Sequence, residues 1–156
     1  LVGPKGEPIV LRDQKPMTRH RLLLALQGSA TPEEWYRLLN SKVFFWVSED
    51  RLIRLLSARA YRELDHDVLT VDTARLVSAH ENGVSLCHMN SGNTFPIPHH
   101  RTPDIFMRIG DYPVRRNGAP RKPIVELVVD YGVQHINDYV IAATRMRGGV
   151  VVNRLD

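Results

Sequence analysis

The sequence feature that most constrains the fold is the segment 43–47, VFFWV, in which every residue is β-branched or aromatic. Such residues favour strands, and an uninterrupted run of them predicts a buried strand. Helix signals lie on both sides of it. Residues 31–34 (TPEE) offer a cap, a proline and two acids for a first helical turn, and Ser48 can cap a second helix. The chain is therefore expected to mix helices and strands.

The rest of the chain predicts short helices and strands in alternation, with strands dominating its end. Helices are expected over residues 18–27 and 73–80, and strands over 8–12, 67–72, 84–89, 124–130, 139–144 and 150–152. This order predicts an α+β fold, a mixed, mostly antiparallel sheet with short flanking helices. The 156 residues are expected to form a single domain.

Composition excludes several classes of protein. Apolar residues make up 43% of the chain and charged residues 24%, which is unlike disordered or fibrous proteins. No apolar run approaches the length that spans a bilayer, so no membrane partner is expected. A single cysteine, Cys87, excludes an intramolecular disulfide framework and indicates a cytoplasmic location. The seven histidines lack metal-ligand spacing, so no metal is expected.

The net charge of +4 is concentrated in residues 99–123, which hold six basic and two acidic residues. Everywhere else the chain balances, with 15 basic and 15 acidic residues. Within this stretch, residues 111–123 are predicted to form a basic loop with Gly118 and three prolines. The stretch is either a binding site for a polyanion or a flexible, solvated loop.

Glu126 is the most informative single residue. In a strand over 124–130, alternation places Glu126 on one face with Ile124, Val128 and Asp130. Two interpretations of a carboxylate between apolar neighbours are open. In the more frequent case it is exposed or forms a salt bridge, and in the other it lines a cleft.

Three other groups of residues invite a functional interpretation beside a structural one. The loop 89–94 (MNSGNT) can offer hydrogen bonds to a sugar or phosphate, or form a tight turn. The aromatic run 44–46 can stack on a flat ring, or be core. Arg12 can bind a phosphate, or be an ordinary surface residue.

Several blocks of the sequence resemble an uncharacterised bacterial domain family. They are DQKPM at 13–17, WY at 35–36, LNSKVFFW at 39–46, DVLTVDT at 67–73 and MNSG at 89–92. Members of that family carry a further N-terminal stretch with a Tyr-His strand motif, which this sequence lacks. The chain is therefore expected to begin partway into the family's domain.

That family in turn is distantly similar to ADP-ribosyltransferases of the DarT type, which act on DNA. Residues 15–17 (KPM) resemble the toxins' Arg-Ser-Pro-Met segment, and 125–130 (VELVVD) resemble the strand that bears their catalytic glutamate. The resemblance implies NAD as substrate, an oxocarbenium-like transition state, and Glu126 as the carboxylate that stabilises it.

The same resemblance implies roles for further residues. NAD would be contacted by Arg12 or Lys15 at the pyrophosphate, by Phe45 or Trp46 at the nicotinamide, and by Asn90, Ser91 and Asn93 at the ribose or acceptor. A nucleic-acid acceptor would be attracted by Arg108, Arg115, Arg116, Arg121 and Lys122.

Three functional hypotheses follow. The first is an ADP-ribosyltransferase that modifies a nucleic acid or protein, in the manner of a toxin with an antitoxin partner. The second is a non-catalytic module of the same fold that binds nucleic acid or protein. The third is a structural fragment whose function depends on the missing N-terminal motif.

Overall fold

A computed structural model of the protein describes residues 17–155. Four α-helices lie within them: α1 (Arg19–Leu26), α2 (Pro32–Asn40), α3 (Glu49–Leu56) and α4 (Thr73–Ala79). The same residues contain seven strands: β1 (Lys42–Trp46), β2 (Asp65–Val71), β3 (Val84–Cys87), β4 (Met107–Arg108), β5 (Glu126–Asp130), β6 (Val140–Arg147) and β7 (Val150–Leu155). The strand expected over 8–12 lies outside the described residues.

The start of α2 shows how local sequence sets an element boundary. The Thr31 hydroxyl accepts a hydrogen bond from the Glu34 N–H at 3.2 Å, and the Glu34 carboxylate accepts one from the Thr31 N–H at 2.8 Å. This reciprocal capping box satisfies two backbone donors that the helix itself leaves unpaired, and Pro32 occupies the first turn. The predicted helix start is confirmed.

The strands form two separate sheets. One contains four strands in the order β1-β5-β3-β4, and the other contains three in the order β2-β6-β7. All strand pairs within residues 17–155 are antiparallel. The expected α+β fold is confirmed, with its strands divided between two sheets instead of gathered in one.

The four-stranded sheet packs different clusters on its two faces. One face bears Leu127 and Val129 of β5, which pack with Leu76 of α4 and Tyr112. The opposite face carries Cys87, which packs with residues of α1 and α2, among them the fully buried Trp35. The side chains of β5 are covered on both faces because these two clusters pack against opposite faces of the sheet.

β1 is less buried than its composition predicts. No residue of this strand is fully buried, and the Phe44 side chain is 39% exposed. The prediction of a buried strand is therefore wrong for the face that carries Phe44. The reason is that β1 lies at the edge of its sheet, where the packing that buries Trp35 does not cover it completely.

The basic loop 111–123 folds back on itself as a hairpin. Val114 forms a bridge with Pro120, and the Arg115 N–H donates to the Ala119 carbonyl at 2.8 Å. Gly118 supplies the positive φ, +79°, that closes the turn. The arginines of this segment are thus held on an ordered support.

None of the helices between residues 17 and 155 is long and apolar enough to cross a membrane.

Candidate ligand-binding cleft

A cleft of about 580 Å³ opens along the face of the four-stranded sheet that carries Glu126. Its floor is formed by β1 and β5. Its sides are formed by Tyr36, Leu39 and Asn40 of α2, Leu55 of α3, and the loop residues Asn90 and Ser91. Met17, the first described residue, also lines it.

The register between β1 and β5 decides which side chains face the cleft. Trp46 pairs with Glu126, and Phe44 pairs with Val128. Directly opposed residues of an antiparallel pair project to the same face. Phe44, Trp46 and Glu126 therefore share the cleft face. Phe45 also borders the cleft, but alternation directs its side chain to the other face, where it packs on the core.

Glu126 is buried at the floor of the cleft, with only 4% of the residue exposed. Its carboxylate accepts hydrogen bonds from the Ser91 backbone N–H, at 3.2 Å to Oε1 and 3.3 Å to Oε2. Of the two alternatives that the sequence leaves open, the structure shows the second, a buried glutamate that lines a cleft. The side chain is removed from solvent because it projects to a covered face of the sheet, where the loop at Ser91 packs against it.

Burial gives Glu126 an unusual acidity. Loss of hydration raises the pKa of its carboxyl to about 7, while hydrogen bonding to Ser91 and the positive charges of Arg101 and Arg51 act in the opposite direction. Near neutral pH the group therefore exists in both protonation states. A carboxyl of this kind can exchange a proton or stabilise a developing positive charge.

The loop that contacts Glu126 is held by a buried arginine. Arg101, only 1% exposed, donates from Nη1 to the Ser91 carbonyl at 2.7 Å and from Nη2 to the Asn93 carbonyl at 2.8 Å. Its Nε donates to the His99 carbonyl at 3.3 Å. The sequence places Arg101 only within the basic stretch 99–123, because composition cannot distinguish a buried arginine from a solvated one.

Ser91 has a second polar group directed into this region. Its hydroxyl oxygen is buried and forms no hydrogen bond of good geometry, although it lies close enough to Glu126 to lower the pKa of that carboxyl. A buried hydroxyl without a proper partner is uncommon in folded proteins. It lies beside the Glu126 carboxyl at the floor of the cleft.

A second charged cluster lies further along the same sheet face. Asp130 accepts a hydrogen bond from Lys42 Nζ at 2.5 Å on one oxygen, and one from Arg108 Nη2 at 3.1 Å on the other. Burial raises the pKa of Asp130, but these two cations outweigh it and hold that pKa below its ordinary value. Lys42 lines the cleft although no sequence motif singles it out. The available signal is its position two residues before Phe44, which places both side chains on the same face of the strand.

The structure assembles part of the expected NAD site. Trp46, Asn90 and Ser91 line the cleft together with Glu126. Asn93 instead forms a local turn, in which its side chain accepts from the Phe95 N–H and donates to the Phe95 carbonyl. Arg12 and Lys15 lie outside the described residues.

The predicted nucleic-acid contacts have different surroundings. Arg115 and Arg116 are exposed at the hairpin. Lys122 and Arg121 are also exposed, with Lys122 Nζ 3.4 Å from His88 Nε2 and Arg121 Nε donating to the Val114 carbonyl at 3.1 Å. Arg108 is tied to Asp130 and to the Val84 carbonyl. The hairpin thus presents most of the predicted positive surface.

Two kinds of chemistry find no support in this part of the chain. Burial raises the pKa of the Cys87 thiol to about 12, so the thiol stays protonated and is a poor nucleophile. Within residues 17–155 no group of three His, Cys, Asp or Glu side chains is placed to hold a metal ion.

Comparison with known proteins identifies a family. A model described as a family of unknown function (DUF7002) matches residues 1–140, and the chain belongs to that family. No curated protein and no solved structure matches the chain. The expected membership in an uncharacterised domain family is confirmed, and the family's description assigns it no activity.

Proposed function

We propose that this member of the DUF7002 family binds NAD in the cleft and cleaves its nicotinamide–ribose bond, as an ADP-ribosyltransferase with Glu126 as the catalytic carboxylate. The observation that carries the proposal is the placement of Glu126. Its carboxyl is buried at the floor of a cleft large enough for a nucleotide, with a pKa of about 7.

The reaction needs a group of this kind. As the bond from ribose to nicotinamide breaks, positive charge develops on the sugar, as in glycoside hydrolysis. A carboxylate in a site that excludes water stabilises this charge far more than an exposed one does, and it can accept a hydrogen bond from a ribose hydroxyl. Glu126 in its ionised form meets both requirements.

The other lining residues fit the parts of NAD. Phe44 and Trp46 share the face of Glu126 and offer flat surfaces for the nicotinamide ring. The Asn90 amide supplies polar groups for a ribose, and Ser91 lines the cleft beside it. A concave site that combines aromatic and apolar surfaces with a few convergent polar groups is the usual form of a cofactor or substrate site.

We further propose a nucleic acid as the acceptor of ADP-ribose. The hairpin that presents Arg115 and Arg116 continues through Lys122 into β5, so this basic surface lies within the eleven residues that precede Glu126 in the chain. Clustered exposed arginines attract the phosphate backbone without regard to base sequence.

One observation favours the alternative of a non-catalytic binding module. The same carboxylate that is proposed to act on the sugar is already hydrogen-bonded to the Ser91 N–H, which is what a purely structural tether of the loop would show. In that case Glu126 shapes the cleft, and the hairpin alone carries the function.

A transfer assay tests the proposal. The protein is incubated with NAD and separate pools of single-stranded DNA, duplex DNA, RNA and protein, and the products are analysed by mass spectrometry. We expect the mass of one ADP-ribose unit on a nucleic-acid product, and its loss with Glu126→Gln. Modification of protein alone contradicts the acceptor, and no release of nicotinamide in any pool contradicts the enzyme.

A further inference from the structure

Lys42 is a buried cation in the cleft that the proposed chemistry does not use. Its side chain is only 8% exposed, and its Nζ lies 4.9 Å from the centre of the Phe106 ring. It lines the cleft on the same sheet face as Glu126. Long, flexible lysine side chains are ordinarily solvated, so this one is held at the cleft by specific contacts.

The charge around Lys42 is not balanced. Asp130 is the carboxylate that pairs with it, but Asp130 also pairs with Arg108. Two cations share one carboxylate, so these three side chains together carry a net charge of +1. An anion that approaches Lys42 therefore meets an attractive field, in surroundings that screen it less than open water does.

The two ends of the cleft therefore differ in charge, with Lys42 at one end and Glu126 at the other. Lys42 and Trp46 are four residues apart on β1, about 13 Å at the rise of an extended strand. Trp46 is paired with Glu126, so the carboxyl and the cation lie at opposite ends of the strand. Phe44 lies between them on the same face, partly exposed. The arrangement suits a ligand that has an anionic group at one end, a flat or apolar middle and a sugar at the other.

We propose that Lys42 forms the anion subsite of this cleft and binds the phosphate or pyrophosphate group of the ligand. Asp130 and Arg108 position the ammonium group and leave it able to bind a further anion. The identity of the sugar end rests on the proposed function, whereas anion binding by Lys42 stands on the charge cluster alone.

Calorimetric titration of the full chain with inorganic pyrophosphate, ADP-ribose and adenosine tests this subsite. We expect Lys42→Met to weaken pyrophosphate and ADP-ribose binding by roughly tenfold or more, the usual effect of one hydrogen bond to a charged group. Adenosine lacks the anion and should bind both proteins equally. Asp130→Asn should strengthen pyrophosphate binding, because it removes the competing carboxylate. Arg154→Met, in β7 of the other sheet, is the control that loses one positive charge.

A second comparison guards against misfolding, because Lys42→Met leaves Asp130 with one fewer partner. The double variant Lys42→Met/Asp130→Asn is therefore compared with Asp130→Asn alone. In this pair the lysine is removed while residue 130 carries no charge, so no buried carboxylate loses its partner. Equal pyrophosphate affinity in these two proteins overturns the subsite, as does a wild-type protein that binds no pyrophosphate. Pyrophosphate binding that depends on Lys42, without NAD cleavage, supports the anion subsite and contradicts the proposed NAD-cleaving activity. NAD cleavage at the same rate with and without Lys42 supports the activity and contradicts the subsite.

Discussion

Glu126 and Ser91 are joined by one backbone N–H that lies 3.2 Å from one carboxylate oxygen and 3.3 Å from the other. This shared donor offsets only part of the cost of burial, so the pKa of the carboxyl stays near 7. The loop residue thereby holds the carboxyl in place without fixing its charge. That combination distinguishes Glu126 from a glutamate in a salt bridge, whose charge is permanent at neutral pH.

Replacement of Glu126 by Gln should stabilise the protein at alkaline pH. The ordinary pKa of 4.5 applies in the unfolded chain, so between pH 4.5 and about 7 the unfolded chain loses a proton that the folded one keeps. Stability falls with rising pH over that interval, and the accumulated cost is roughly 3 kcal/mol. Glutamine carries no such cost and can still accept the Ser91 N–H.

Thermal unfolding at pH 4.5 and pH 8 measures this effect. We expect the melting temperature of Glu126→Gln to exceed that of the wild type at pH 8, with the gap closing towards pH 4.5. A variant that is less stable than the wild type at pH 8 would show that the carboxylate is a structural tether.

The pH dependence of NAD cleavage should follow ionisation of Glu126. Only the carboxylate stabilises positive charge, so kcat/KM should rise through a midpoint near pH 7, the pKa in the free protein. Bound NAD brings a positive nicotinamide ring close to the group, which lowers its pKa, so the midpoint for kcat should lie at lower pH. Steady-state rates from pH 5 to 9 provide both values. A profile that stays flat across this range is incompatible with the assigned role.

Arg101 should act as a positioning residue for the cleft loop. Arg101→Met removes three hydrogen bonds to backbone carbonyls and leaves the Ser91 and Asn93 carbonyls without that donor. We expect a loss of about 3 kcal/mol of stability, and partial recovery with Arg101→Lys. Loss of this positive charge should also raise the pKa of Glu126, so the kcat/KM midpoint should move to higher pH. Arg101→Lys keeps the positive charge and should leave the midpoint near that of the wild type. An unchanged midpoint in a folded Arg101→Met protein would limit Arg101 to a structural role.

The basic hairpin should bind nucleic acid with a strong dependence on salt. Each phosphate contact contributes a slope of about −0.7 for single strands when log K is plotted against log salt concentration. Arg115→Ala/Arg116→Ala should therefore reduce the slope by about 1.4 and weaken binding to all sequences alike. Fluorescence anisotropy with a labelled oligonucleotide at several salt concentrations measures this slope. The matched control is Arg59→Ala/Arg62→Ala, which removes two arginines from the segment after α3. Equal slopes for the two double variants would remove the hairpin from the interface.

Local rules account for most of the secondary structure. The cap at Thr31 and the glycine after α1 set helix ends through contacts within a few residues, so the sequence predicts them well. The alternation that groups Glu126 with Val128 and Asp130 is equally local, and the strand confirms it.

The features that the sequence did not predict depend on contacts between distant segments. The buried state of Glu126 requires the loop at Ser91, 35 residues away along the chain, to pack against it. The burial of Arg101 requires Ser29, 72 residues away, and Ala25 to contact its backbone. Nothing near either residue encodes these neighbours. The same applies to Lys42, whose partner Asp130 is 88 residues away along the chain.

Whether Glu126 is the catalytic carboxylate is tested most directly by measuring the release of nicotinamide from NAD at pH 8 by chromatography. The proteins compared are the wild type, Glu126→Gln and Glu81→Gln, a control that changes an exposed glutamate. We expect release by the wild type and by Glu81→Gln. A folded Glu126→Gln that still binds NAD should lose at least a hundredfold in rate, as is typical when a group that stabilises the transition state is removed. Equal release by the wild type and Glu126→Gln, or no release by any of them, would contradict this role of Glu126.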